Sequence, residues 1–98
     1  MSVLVWIIYD IVEDRTRTKL AKECKKFGLE RVQKSVFLGK LESNRFDEFG
    51  EKCLSLINED EDSVYIFPFC QEDFRNIKVL GQGFDKKLIN EEILSRFF

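Results

Sequence analysis

Two features of this sequence have residue types suited to chemistry. The first is Tyr9-Asp10, which closes an otherwise apolar run, VLVWIIY. A carboxylate in that place is either a ligand at the mouth of a sheet or a group that satisfies the following loop or helix start. One Asp does not hold Mg²⁺ alone. The ion wants six oxygens and usually takes one or two carboxylates plus waters and substrate phosphate. Two Asp10 side chains across a dimer axis would meet that need. The second feature is cationic. Arg15, Lys19, Lys22 and Lys26 are spaced 4, 3 and 4 apart and share one face of a helix, with no acid on that stripe. Such a face is either simply solvated or a surface for phosphates, bound without regard to sequence and sensitively to salt. Arg31, Gln33 and Ser35 alternate along one strand face and carry the same two readings, with Lys34 beside them.

Composition removes several other chemistries. There is no histidine, so the commonest general base, the imidazole metal ligand and the Ser–His and Cys–His nucleophile systems are excluded. Gly81-Gln82-Gly83 lacks the spacing and context of a phosphate-binding loop. The net charge of −2 speaks against a nucleic-acid partner, but its distribution does not. Residues 15–40 hold nine Lys or Arg against Glu23 and Glu30, whereas residues 41–98 hold seven bases against thirteen acids. A chain polarised in this way can present a basic surface despite an acidic total. The acidic run at residues 59–62 is read as solvated loop. Cys24, Cys53 and Cys70 are odd in number and widely spaced, as expected of reduced core residues in a cytoplasmic protein. No stretch has the roughly 20 apolar residues of a membrane span. The apolar opening has no positive charge before it and Asp10 after it, which argues against a signal peptide.

The elements that must position these residues follow from patterning. A length of 98 residues suits one domain. Residues 3–9 are apolar on both faces, as in a buried central strand. Asp14 is the expected N-cap of a helix over residues 15–27, with Gly28 as its stop. Leu20, Cys24 and Phe27 form its core face. Residues 29–41 read either as one long strand or as a tight hairpin turning near Lys34-Ser35, with Gly39 at a bulge. Ser43 or Asn44 is expected to cap a second helix reaching about Ile57, with Phe46, Phe49 and Cys53 inward. Residues 63–70 form another strand, and Pro68 marks its edge or end. With the hairpin, the order is βαββαβ, an α+β, ferredoxin-like plan. Residues 77–80 are expected as a short fifth strand, and Asp85 as the cap of a final helix. The expected domain spans residues 1–83, with residues 84–98 as its tail or helix. Ten Phe is a large share for so small a core, which points to rings buried between subunits.

Three stretches together resemble a known family. They are Ile8-Tyr9-Asp10-Ile11, the run GLERVQKSVFLG over residues 28–39, and EDSVYIFP over residues 61–68. They are similar to the second of the CRISPR-associated (Cas) protein families, the small nuclease or spacer-acquisition subunit. The resemblance covers residues 1 to about 83. It implies a ferredoxin-like homodimer in which residues 77–80 extend the partner's sheet. It implies that Asp10 of each subunit binds a shared Mg²⁺ or Mn²⁺, with Tyr9 beside it in the catalytic site, and that Arg17, Arg31 and Phe37 lie near the nucleic acid. The substrate it implies is RNA or double-stranded DNA. The same family includes members whose role is to bridge two CRISPR integrase dimers and hold incoming DNA, so endonuclease and adaptor are both implied. A toxin-like RNA interferase of similar fold is a third reading. Two positions depart from the family pattern: Leu38 stands where an acid is common, and Lys19 where Arg is common.

Overall fold

A computed structural model describes residues 2–81. The apolar opening forms β1 (Ser2–Asp10), one of the two inner strands of a four-stranded sheet of order β2-β3-β1-β4. It pairs antiparallel with β3 (Val36–Glu42) on one side and β4 (Ser63–Phe69) on the other. One parity, Val5, Ile7 and Tyr9, is buried; of the other, Leu4 is buried, Trp6 partly so and Ile8 exposed. The fourth strand, β2 (Glu30–Gln33), lies at the far edge against β3. The hairpin expected at Lys34-Ser35 is therefore present, and the order βαββαβ is the ferredoxin-like one.

Helices α1 (Asp14–Lys26) and α2 (Ser43–Leu56) cover one face. Their core residues, Leu20, Ala21, Cys24, Phe49 and Cys53, meet Val5, Ile7 and Tyr9 of β1 and Phe37 and Leu41 of β3. Phe27 packs edge-on against Phe49, with ring centroids 5.0 Å apart. The opposite face is only partly covered. A short helix, α3 (Gln71–Arg75), lays Phe74 over Leu4 and Leu38, while Ile8, Tyr65 and Phe67 stay exposed.

The helix ends differ in detail from expectation. Asp14 is not the N-cap of α1; Glu13 holds the extended cap position, and Asp14 is the first helical residue, with its carboxylate on Arg17 one turn on. Likewise Glu42 precedes α2, so Ser43 and Asn44 are its first helical residues rather than its cap. The stop at Gly28 is as expected. Its φ of 84° is open to glycine, and the Gly28 and Leu29 amides donate to the carbonyls of Lys25 and Cys24. That pairing closes the helix and swings Leu29 into the core.

Gly39 is not at a bulge. It pairs in register with Val5, and the register shift lies in β2 between Arg31 and Gln33. A Cβ at Gly39 would lie 2.8 Å from Leu29 Cδ2, the movable end of a side chain, and 3.2 Å from Leu29 Cα, so the close approach of the incoming chain favours glycine there. The strand expected at residues 77–80 is absent: those residues adopt no regular structure in the single chain. The short helix before them was not anticipated. Cys70 and Asp73 cap each other's backbone at its start. Cys70 is thus an exposed capping residue and not a core one, whereas Cys24 and Cys53 are buried as expected. The final helix expected from Asp85 lies outside the described residues.

Candidate functional site

β1 delivers Tyr9 and Asp10 to the end of the sheet, and strand alternation sends them to opposite faces. Tyr9 is buried against the helices, while Asp10 is exposed. The Asp10 carboxylate is engaged by no described residue. At the same end of the sheet opens a cleft of about 600 Å³, lined by Tyr9 rather than Asp10, together with Asp14, Arg17, Thr18, Arg31, Lys34 and Ser35. Arg17, Arg31 and Lys34 give it a cationic lining against one acid, Asp14, which is itself paired with Arg17.

The Tyr9 hydroxyl organises the cleft. It donates to the Lys34 carbonyl at 3.3 Å and accepts from Arg31 Nη2 at 3.3 Å. The Tyr9 amide donates to the Ser35 carbonyl at 3.1 Å. The hairpin turn is therefore tied to β1 by both polar groups of one residue. Arg31 also lies 5.2 Å above the centre of the Phe37 ring, and Tyr9 stacks on that ring with centroids 6.3 Å apart. Phe37 itself is fully buried, so its ring does not reach a nucleic acid. It takes the part of a floor beneath Tyr9 and Arg31.

Arg17 is committed differently from the other cations. Its Nη1 donates to the carbonyls of Ile11 at 2.6 Å and Val12 at 3.2 Å. It holds the backbone that follows Asp10 as well as lining the cleft. On α1, Arg15, Lys19 and Lys22 stand exposed. Lys26 is exposed too, but lies 3.5 Å from Glu23, so the stripe is less free of acids than its spacing implies.

Asp62 was not singled out from sequence. Its Oδ1 accepts from the Val12 amide at 3.0 Å and its Oδ2 from the Asn58 amide at 2.9 Å. These bonds hold its carboxyl below the usual carboxylate range, the Val12 bond first and the Asn58 bond second. The signal lay in topology: Asp62 immediately precedes Ser63, which pairs with Asp10. A group whose folded pKa is depressed stabilises the fold above its unfolded value, about 4, and loses that contribution as pH falls through the folded value. Wild type should therefore melt higher than Asp62→Asn near neutrality, with the gap closing below about pH 4. A gap that stays constant down to about pH 3 would show that the charge is not what matters.

Burial pushes the Cys24 thiol up to about 12, assisted by Cys53, and pushes Cys53 to about 12 as well. Neither is a nucleophile at neutral pH. Among the described residues no three His, Cys, Asp or Glu side chains are grouped to hold a metal ion, and no helix is long and apolar enough to cross a membrane.

Residues 1–77 match the family described as CRISPR associated protein Cas2. The chain belongs to the Cas2 family. A Desulforudis audaxviator protein named CRISPR-associated endoribonuclease Cas2 is 39% identical over 74 residues, which is 76% of this chain and 70% of the relative. A Korarchaeum cryptofilum protein of the same name is 33% identical over 82 residues, 84% of this chain and 88% of its own. Among solved structures, Streptococcus pyogenes Cas2 at pH 6.5 superposes with a TM-score of 0.70 at 25% identity, covering 80% of this chain and 99% of that one. A Thermus thermophilus hypothetical protein, TT1823, reaches 0.72 at 32% identity, covering 85% and 95%. The α+β fold read from the sequence is thus the fold of the Cas2 family.

Proposed function

We propose that this chain acts as a homodimeric, Mg²⁺- or Mn²⁺-dependent endonuclease on RNA or double-stranded DNA, at the spacer-acquisition stage of CRISPR defence. The observation that carries the reading is an exposed, unengaged Asp10 carboxylate that closes β1, next in the chain to Tyr9, which lines a cationic cleft. A hard carboxylate oxygen suits either ion. One chain offers a single such ligand, so the donor set fits the ion when a second copy brings its own Asp10.

The uncovered sheet face supports such a pairing. Ile8, Tyr65 and Phe67 expose 37%, 53% and 48% of their surface on one side of the sheet, and β4 is an open edge. A second copy laid on that face would remove the apolar patch and the unpaired edge together. Residues 77–80 would extend the partner's sheet.

When bound, the ion would supply Lewis acidity at a phosphoryl oxygen and a water of lowered pKa. The protein's own residues do the rest. Asp10 holds the ion. Arg31 and Lys34 neutralise phosphate oxygens in the cleft. Tyr9 fixes Arg31 through its hydroxyl, and Phe37 supports the Tyr9 ring and the Arg31 guanidinium from below. The test is incubation of labelled RNA and duplex DNA with Mg²⁺, Mn²⁺ or a chelator. Cleavage should occur with metal, stop on chelation and resume when metal is restored. Inertness towards both substrates with every metal would sink the nuclease reading.

The exposed cations on α1 favour a second reading, a dimeric adaptor that bridges CRISPR integrase dimers and holds DNA without cutting it. Each phosphate neutralised on duplex DNA adds about −0.9 to the log–log salt slope. Replacing Lys19, Lys22 and Lys26 by Ala should weaken binding to all sequences alike and flatten the slope by up to about 3, with Lys26 contributing least. Salt-dependent binding measurements check this; unchanged affinity and slope would leave the stripe a solvated face.

A further inference from the structure

The backbone that follows Asp10 is gripped from both sides. Only Ile11, Val12 and Glu13 separate the end of β1 from the start of α1. Ile11 is anchored by its buried side chain. Arg17 holds the Ile11 and Val12 carbonyls from the helix. Asp62 holds the Val12 amide from the loop between α2 and β4.

That loop is organised before it reaches across. Asn58 Oδ1 accepts from the Asp60 amide at 3.0 Å, and the Asn58 carbonyl accepts from the Asp62 amide at 2.7 Å. The Asn58 amide takes Asp62 Oδ2. One carboxylate oxygen is thus bound within the loop, and the other is presented to a residue 50 positions earlier. The rigid turn and the Asp10–Ser63 pairing bring Asp62 to the backbone two residues beyond Asp10.

We propose that Asp62 is a positioning residue for Asp10: by accepting the Val12 N–H opposite Arg17, it fixes the backbone that aims the Asp10 carboxylate at a shared divalent ion. This rests on the metal-dependent reading above. Groups that orient a metal ligand without touching the metal are typically worth about 10–100-fold in metal affinity or activity. The Val12 amide can turn to water when Asp62 is lost, so the fold should survive while the aim of Asp10 relaxes.

The experiment compares full-length wild type, Asp62→Ala and Asp62→Asn. It measures Mn²⁺ affinity by calorimetry, kcat and KM on RNA, and hydrogen exchange over residues 10–12. Asp62→Ala should weaken Mn²⁺ binding and lower kcat by about 10–100-fold each, with KM for RNA unchanged and faster exchange over residues 10–12. Asp62→Asn, which keeps one acceptor oxygen, should fall between and covers the case in which the Ala variant does not fold. Mn²⁺ affinity and kcat within about two-fold of wild type, or a loss confined to KM, would overturn the proposal. A wild type that neither binds Mn²⁺ nor cleaves would reject the metal reading instead. Exchange would then decide only whether Asp62 restrains the Asp10 backbone: faster exchange over residues 10–12 in the variants upholds that restraint without the ion, and unchanged exchange overturns it.

Discussion

Asp10→Asn is expected to lower metal-dependent cleavage at least about a hundred-fold, the upper end of what residues merely supporting a metal ligand cost. The substitution keeps the shape of the side chain and removes its charge. If two copies share one ion, a single change removes both carboxylate ligands at once. The fold should hardly respond, because the Asp10 side chain is exposed and engages no described residue. Surface changes of that kind stay within about 0.5 kcal/mol. The measurement is the cleavage rate on RNA and duplex DNA in Mg²⁺, with melting temperature and sedimentation as controls. Equal cleavage by wild type and variant, from equally clean preparations, would remove Asp10 from the reaction. Spacer acquisition that survives Asp10→Asn would favour the adaptor.

Phe37→Ala should have the largest effect on stability. The ring is fully buried between the sheet and the helices, beneath Tyr9 and Arg31. Removing such a ring costs about 3–5 kcal/mol in lost transfer energy and residual cavity. For a domain of this size each kcal/mol moves the melting temperature by about 4–8 °C. A fall on the order of 20 °C follows, or failure to fold where total stability lies near the low end of about 5–15 kcal/mol. Phe67→Ala, on the exposed sheet face, should leave the single chain much less affected and act on self-association. Thermal unfolding of both variants separates the two. A Phe37→Ala protein that melts like wild type yet loses nucleic-acid binding would restore the ring to the interface that the structure denies it.

Much of the fold was legible because its signals are local. The apolar run of β1, the Leu20–Cys24–Phe27 spacing and Gly28 each report their own neighbourhood. The hairpin was ambiguous because Lys34-Ser35 contains no turn-forming glycine or proline. What bends the chain there is Tyr9, more than twenty residues earlier, through its amide and its hydroxyl. The candidate site divides in the same way. Asp10 and the α1 cations stood out by type and spacing. Arg17 reads as one more phosphate ligand until its bonds to Ile11 and Val12 are seen. Asp62 looked like part of a solvated acidic run because only the antiparallel pairing of β1 with β4 brings it beside Val12. Phe37 does share a face with Arg31, its cross-strand partner, but β3 lies inside the sheet and β2 at its edge, so the ring is buried where the guanidinium is not.

The absence of a side chain at Gly39 bears on how the hairpin finds its alignment. A connection without glycine or proline does little to dictate which residues face each other across it. The narrow gap beside Leu29 adds a preference, since a methyl group there would have to displace the Leu29 side chain and would press to 3.2 Å of its Cα. Sliding β3 by one residue would bring Leu38 or Lys40 to that gap and turn every side chain of the strand to the wrong face. Sliding by two would restore the faces but set Phe37 or Leu41 in the narrow gap beside Leu29. Misaligned hairpins are thus disfavoured at a site remote from the turn, and one missing carbon helps the chain to settle its alignment.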